Sequence, residues 1–183
     1  MLELRPTPFD HPDAVRLIGE IQQVYRERYG NADATPVEPV EFAAPYGYFV
    51  VGYVDGTAVA CGGWRARNGG TDPGLHDGDA EIKRMYVAVA HRGRGFARVV
   101  LAELERTAAA AGRRRAVLET GVRQPEAIAL YTSAGYVPVT KFGVSRDKAG
   151  CRCFAKPLTR LVGRESVQLP TVLFAPVGQC GRR

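Results

Sequence analysis

Apolar and polar positions along this 183-residue chain change period several times, and each change predicts an element. Leu2 to Arg5 reads as a short strand closed by Pro6 and Pro8. Beyond it Leu17, Ile21, Val24 and Tyr25 repeat along one helical face, with Asp10 as N-cap and Pro12 in the first turn. Past Gly30 two prolines, Pro36 and Pro39, and several acids break any long helix, so Asn31 to Phe42 is expected to be a loop with one short turn. Tyr46–Val54 and Thr57–Arg67 are β-rich runs joined by Asp55-Gly56, a dipeptide that accepts positive φ, which predicts a hairpin.

The loop Asn68 to Gly78 leads to a strand from Glu81 to Val89, whose imperfect alternation implies a bulge or bend near Met85. Val99, Val100, Leu101, Leu104 and Ala108 then repeat at helical spacing, stopped by Gly112. Ala116–Thr120 is the next strand. A helix crosses between it and the Glu81 strand, so the two are expected to be parallel neighbours. Pro125 begins a last helix ending at Gly135, and Tyr136–Val144 with Cys151–Lys156 predicts a closing hairpin. The sum is a mixed α/β (α+β) sheet flanked by helices.

Between the central strand and its helix stands His91-Arg92-Gly93-Arg94-Gly95-Phe96-Ala97. Glycines at a helix entry let free backbone amides converge on an anion, with the positive end of the helix dipole behind them. Arg92 and Arg94 add charge. The same residues on their own also fit a solvated basic turn, so the rest of the chain must decide.

The formal charge of +6 favours anionic ligands, but Arg113 to Arg115 and Arg182 to Arg183 fall outside any single reading surface, which disfavours nucleic acid. Hydrophobic residues at 45% and charged residues at 24% fit one soluble globular domain. Cys61, Cys151, Cys153 and Cys180 lack paired CxxC spacing and interleaved histidines, so no metal site is expected, and they read as small buried hydrophobes in a reducing compartment. His76 lies in a loop and reads as solvated, with a base as the alternative. The first residues show no basic segment before a long apolar run, and no stretch reaches roughly 18 apolar residues. A cytoplasmic protein without membrane contact is expected.

RGRGFA after a strand carrying Met85-Tyr86-Val87 resembles the acetyl-CoA loop of the Gcn5-related N-acetyltransferases (GNAT). Leu118-Glu119-Thr120-Gly121, Gln124, Ala127-Ile128, Leu130-Tyr131 and Gly135-Tyr136 resemble that family's next strand and helix, in the same order. The resemblance covers about residues 2–158. It implies a central, mostly antiparallel sheet splayed between two parallel strands, and transfer of an acetyl group from acetyl-CoA to an amine. Arg92, Gly93, Arg94, Gly95, Phe96 and Ala97 would hold the pyrophosphate. Met85, Tyr86 and Val87 would offer backbone groups to the pantetheine amides. Tyr131 would be the general acid, and Glu81 or Glu119 the base, unless a strand carboxylate instead pairs with Lys83 or Arg84. Gln124 stands where the family commonly has Asn, which bears on its own contact to the cofactor or the helix end. Substrate contacts would come from Gly30–Pro45 and Phe142–Gly150.

Two other classes fit less of the sequence. An acyl-CoA sensor or interaction module would share the fold without turnover, and the presence of Tyr131 and both glutamates favours catalysis. A dinucleotide-binding oxidoreductase lacks the third glycine of GxGxxG and an acidic ribose-binding residue. Residues 159–183 extend past the resemblance; VQLPTVLFAPVG there suits an edge strand or the contact of a homodimer.

Overall fold

A computed structural model describes residues 1–33 and 35–159; the C-terminal extension and Cys180 lie outside the described residues. Among the described residues seven strands form one sheet in the order β1-β2-β3-β4-β5-β7-β6: β1 (Glu3–Pro6), β2 (Gly47–Val54), β3 (Thr57–Arg67), β4 (Asp79–Val87), β5 (Arg115–Gly121), β6 (Val137–Pro138) and β7 (Cys151–Pro157). Every neighbouring pair is antiparallel except β4 and β5, which run parallel as the intervening helix requires.

Helix α1 (Pro12–Tyr29) buries Ala14, Leu17 and Ile21 against one face of the sheet, with Phe49, Val51, Tyr53 and Cys61. Helices α2 (Phe96–Ala110) and α3 (Pro125–Ser133) cover the other face, where Val100, Leu101, Leu104 and Tyr131 meet Val50, Trp64, Ile82 and Leu118. The N-cap of α1 is His11, not Asp10: its Nδ1 accepts the Asp13 amide at 3.2 Å, and Pro12 takes the first helical position. Both α2 and α3 end on a left-handed glycine. Arg113 N–H reaches the Ala108 carbonyl past Gly112, and Tyr136 N–H reaches that of Tyr131 past Gly135.

The expected long strand from Tyr136 to Val144 is cut to two residues. Pro138 offers no amide, and after Val139 the chain leaves the sheet so that Phe142 can bury itself fully against Leu75, Val117 and Cys153. The central strand also sits two residues earlier than expected, because Val89–His91 forms a short 3-10 turn that redirects the chain into the glycine loop.

The bulge near Met85 is present. Cys61 pairs with Tyr86 and Gly63 with Lys83, so Arg84 and Met85 together oppose the single residue Gly62, and Arg84 adopts a left-handed φ of 57°. On the other side of β4, pairing with β5 stops at Ile82 and Leu118. From there the two strands diverge. Residues 83–87 and 119–121 bound a gap in the middle of the sheet.

Candidate active site

That gap opens into a cavity of about 410 Å³ that passes between β4 and β5. Its walls are chemically unlike. On the side of α3 they are Ile82, Met85, Ala127 and Tyr131; on the side of α1 they are Tyr25, Asp33, Lys83, Arg84 and Glu119. Asn31, Ala32 and Asp33 of the first expected substrate loop and Ser145, Lys148 and Gly150 of the second also line it. Both loops therefore converge on one space.

Tyr131 comes from α3 and is 7% exposed, its ring 5.7 Å from that of Tyr136. Its hydroxyl lies 3.8 Å from the Met85 sulfur, and burial pushes its pKa up to about 12, so the phenol keeps its proton at neutral pH. Gln124 stands at the N-terminal end of α3 and its side-chain amide donates to the Tyr29 hydroxyl at 3.4 Å. The C-terminus of α1 is tied across the gap at this point. Arg28 and Arg123 each donate to the other's carbonyl, at 2.8 and 2.5 Å, and a methyl group on Gly121 would collide with Tyr29.

The two candidate bases are placed differently. Glu81 is 2% exposed and does not line the cavity. It bonds Arg65 at 2.9 Å and Lys83 at 3.0 Å, with Arg67 at 3.6 Å. Burial works to raise its pKa, but the Lys83 and Arg65 charges prevail and hold it below the usual carboxylate range. Glu119 is half-buried in the cavity wall, and among the described residues it has no ion pair within 4 Å. Burial raises its pKa, opposed by the Lys83 charge and the nearby Ser145 hydroxyl, and helped by the Asp33 and Glu81 charges.

Beside the cavity the loop after β4 exposes Arg92, Gly93, Arg94 and Gly95, with Phe96 and Ala97 half-buried at the start of α2. No side chain caps this helix, and among the described residues the amides of 93–97 have no acceptor. Gly93 and Gly95 have φ of 75° and 79°, conformations that disfavour other residues, and a Cβ on either would meet open space. Those unspent donors at a positive helix end fit an anionic phosphate group. Arg92 folds back: its Nε donates to the Val87 carbonyl at 3.1 Å and its guanidinium lies over the Tyr86 ring. Tyr86 is buried on the α1 side of the sheet, so its side chain belongs to the core while its backbone follows the edge. Met85 and Val87 pack half-buried toward α2.

Three groups lay beyond the sequence reading: Asp33, Arg84 and Lys83 as cavity walls. Arg84 pairs with Asp33 rather than with a strand glutamate. The available signal was a Lys-Arg dipeptide inside an otherwise buried strand. Cys151 also faces the cavity, its sulfur 3.8 Å from that of Cys153, and the described cysteines are free and buried. His76 is exposed and outside the cavity. Among the described residues no cluster of side chains could hold a metal ion, and no helix is long and apolar enough to cross a membrane.

The family model described as "Acetyltransferase (GNAT) family" matches residues 18–136. An IAA acetyltransferase of Azospirillum brasilense is 33% identical over 129 residues, covering 70% of this chain and 80% of the relative. Among solved structures, a Klebsiella pneumoniae protein assigned as an acyl-CoA N-acyltransferase matches with a TM-score of 0.70 at 26% identity, over 87% of this chain and 99% of that one. The PaiA N-acetyltransferase of Thermoplasma acidophilum, solved in complex with coenzyme A, shares the fold with a TM-score of 0.62 at 14% identity, over 86% and 99% of the two chains.

Proposed function

The chain belongs to the acetyltransferase (GNAT) family, and on that premise we propose that it moves an acetyl group from acetyl-CoA to a primary amine, of a small molecule or a protein, by direct attack on the thioester. The observation that carries this reading is the cavity through the split sheet, with unspent amides beside it and a half-buried carboxylate and a protonated phenol in its walls. Acetyl-CoA supplies the activated acetyl group.

The amides of Gly93 to Ala97 hold the pyrophosphate, with Arg94 adding charge, while Arg92 keeps the loop closed on the end of β4. The unpaired edge of β4 from Met85 to Val87 takes the pantetheine amides much as a sheet accepts an added strand. Gln124 closes the far side beside Tyr29. Glu119, rather than Glu81, removes the proton from the acceptor's ammonium, directly or through water: it faces the cavity, and its raised pKa makes it a better proton acceptor than an ordinary carboxylate. Tyr131, beside Met85, gives its proton to the departing thiolate.

Calorimetry with coenzyme A and a thiol-release assay over a panel of amines test the reading together. Gly95→Val places a branched side chain at a left-handed helix entry and over the amides, and is expected to weaken coenzyme A binding by more than about tenfold, ~1.4 kcal/mol, with the far-UV spectrum unchanged. Unchanged affinity in the folded variant overturns the cofactor assignment. Binding of coenzyme A without release of thiol for any amine overturns the transfer and leaves an acyl-CoA sensor.

A further inference from the structure

Arg84 occupies an unusual place. It sits at the bulge of β4 with a left-handed backbone, is 5% exposed, and lines the cavity. A non-glycine residue rarely holds that conformation unless its surroundings enforce it. The guanidinium is only partly used. Nη1 is ion-paired with Asp33, Nη2 makes a long contact of 3.4 Å to the Thr35 carbonyl, and Nε is buried and, among the described residues, without a partner. A buried donor left unsatisfied is costly, and such groups in folded proteins await a water, an ion or a ligand. The Nε and Nη2 edge is also the fork that receives two oxygens of one carboxylate.

The surrounding charge agrees. Asp33 is committed to Arg84, and Glu81 to Arg65, Arg67 and Lys83, while Lys148 on the cavity rim has no ion pair among the described residues. Among the described residues, the one carboxylate lining the cavity without such a partner is Glu119. We propose that the acceptor carries a carboxylate as well as its amine, as an amino acid does, with the carboxylate held by the free edge of Arg84 and the amine turned toward Glu119. The inference rests on the acetyl-transfer reading for the role of Glu119, and gives Arg84 the choice of substrate.

The test is calorimetry on the protein saturated with coenzyme A, using matched pairs: an amino acid against its decarboxylated amine and against its carboxamide, across aliphatic and aromatic side chains. For at least one pair the carboxylate is expected to bind at least tenfold tighter. Arg84→Lys, which keeps the charge and loses the fork, is expected to reduce that ratio to within about twofold of unity, with coenzyme A affinity retained. Equal binding within every pair, binding of no member, or a preference that survives Arg84→Lys overturns the inference; the wild-type comparison stands even where the variant does not fold. Thiol release measured on the same pairs separates the two proposals. Acetylation of amines without regard to the carboxylate overturns this inference alone. Selective binding without acetylation supports it and overturns the transfer.

Discussion

The sealed and open halves of the β4–β5 pair put the same side chain to opposite uses. Where the strands are hydrogen-bonded, from Asp79 to Ile82 and Arg115 to Leu118, Glu81 is enclosed by cations and stays ionised. One residue past the last pair, Glu119 has lost the neighbouring strand, and its pKa shifts the other way. Burial raises the pKa of both; what differs is how much positive charge stands close enough to oppose it. A buried carboxylate with committed cations belongs to the architecture, whereas one that cations influence only at a distance remains free to exchange a proton.

Three substitutions test that contrast. The largest effect is expected from Glu81→Gln on stability: removing one member of a buried ion cluster leaves Lys83 with no carboxylate among the described residues and Arg65 with Glu41 alone, a loss of about 3–5 kcal/mol by urea denaturation. Because its folded-state pKa is lowered, the contribution of Glu81 is present above the unfolded value and is lost as pH falls through the folded one. The stability gap between wild type and variant should therefore close in acid. A gap that is small at neutral pH would remove Glu81 from the architecture.

Glu119→Gln should invert the pattern. Its raised pKa means that the fold disfavours its ionised form, so the neutral amide is expected to leave stability at pH 7 unchanged or slightly higher. Turnover is expected to fall by roughly 10²-fold, with partial recovery as rising pH frees the amine. If Glu81→Gln slowed the folded enzyme more than Glu119→Gln does, the proposed base would be the wrong one. The smallest effect on turnover is expected from Lys83→Met, whatever it costs in stability by breaking the Glu81 pair. Loss of an ammonium that lowers the Glu119 pKa should move the acid limb of kcat/KM to higher pH, with the rate on the plateau changed less. A limb that stays in place would mean that Glu119 does not set it.

The sequence revealed most clearly what local chemistry dictates. Asp55-Gly56 between two β-rich runs forms the hairpin turn with φ of 49° and 77°, and Gly112 and Gly135 end their helices in the left-handed conformation. Disturbed alternation around Met85 reflected the bulge, since an inserted residue breaks the period of two. The lost strand after Tyr136 was less legible: Val137 to Val144 has strand-like composition, and only the demand for Phe142 in the core draws the chain out of the sheet. The Arg84–Asp33 pair was beyond sequence reasoning altogether. It joins residues 51 positions apart, and nothing local signals that a strand arginine will meet a loop aspartate. For the two glutamates, sequence supplied the candidates, and the separation of the strands supplied the distinction.

The tie between α1 and the β5–α3 turn has a consequence for association. A sheet parted at its centre carries two inner rims with backbone groups that no strand has claimed, and such rims template pairing with other chains. Here Tyr29 lies against Gly121, while Arg28 and Arg123 exchange hydrogen bonds over the opening. The β5 rim of that opening is thereby held against the end of the first helix. A domain built this way can keep an interrupted ladder at its heart, wide enough for slender guests, without becoming a seed for intermolecular sheets.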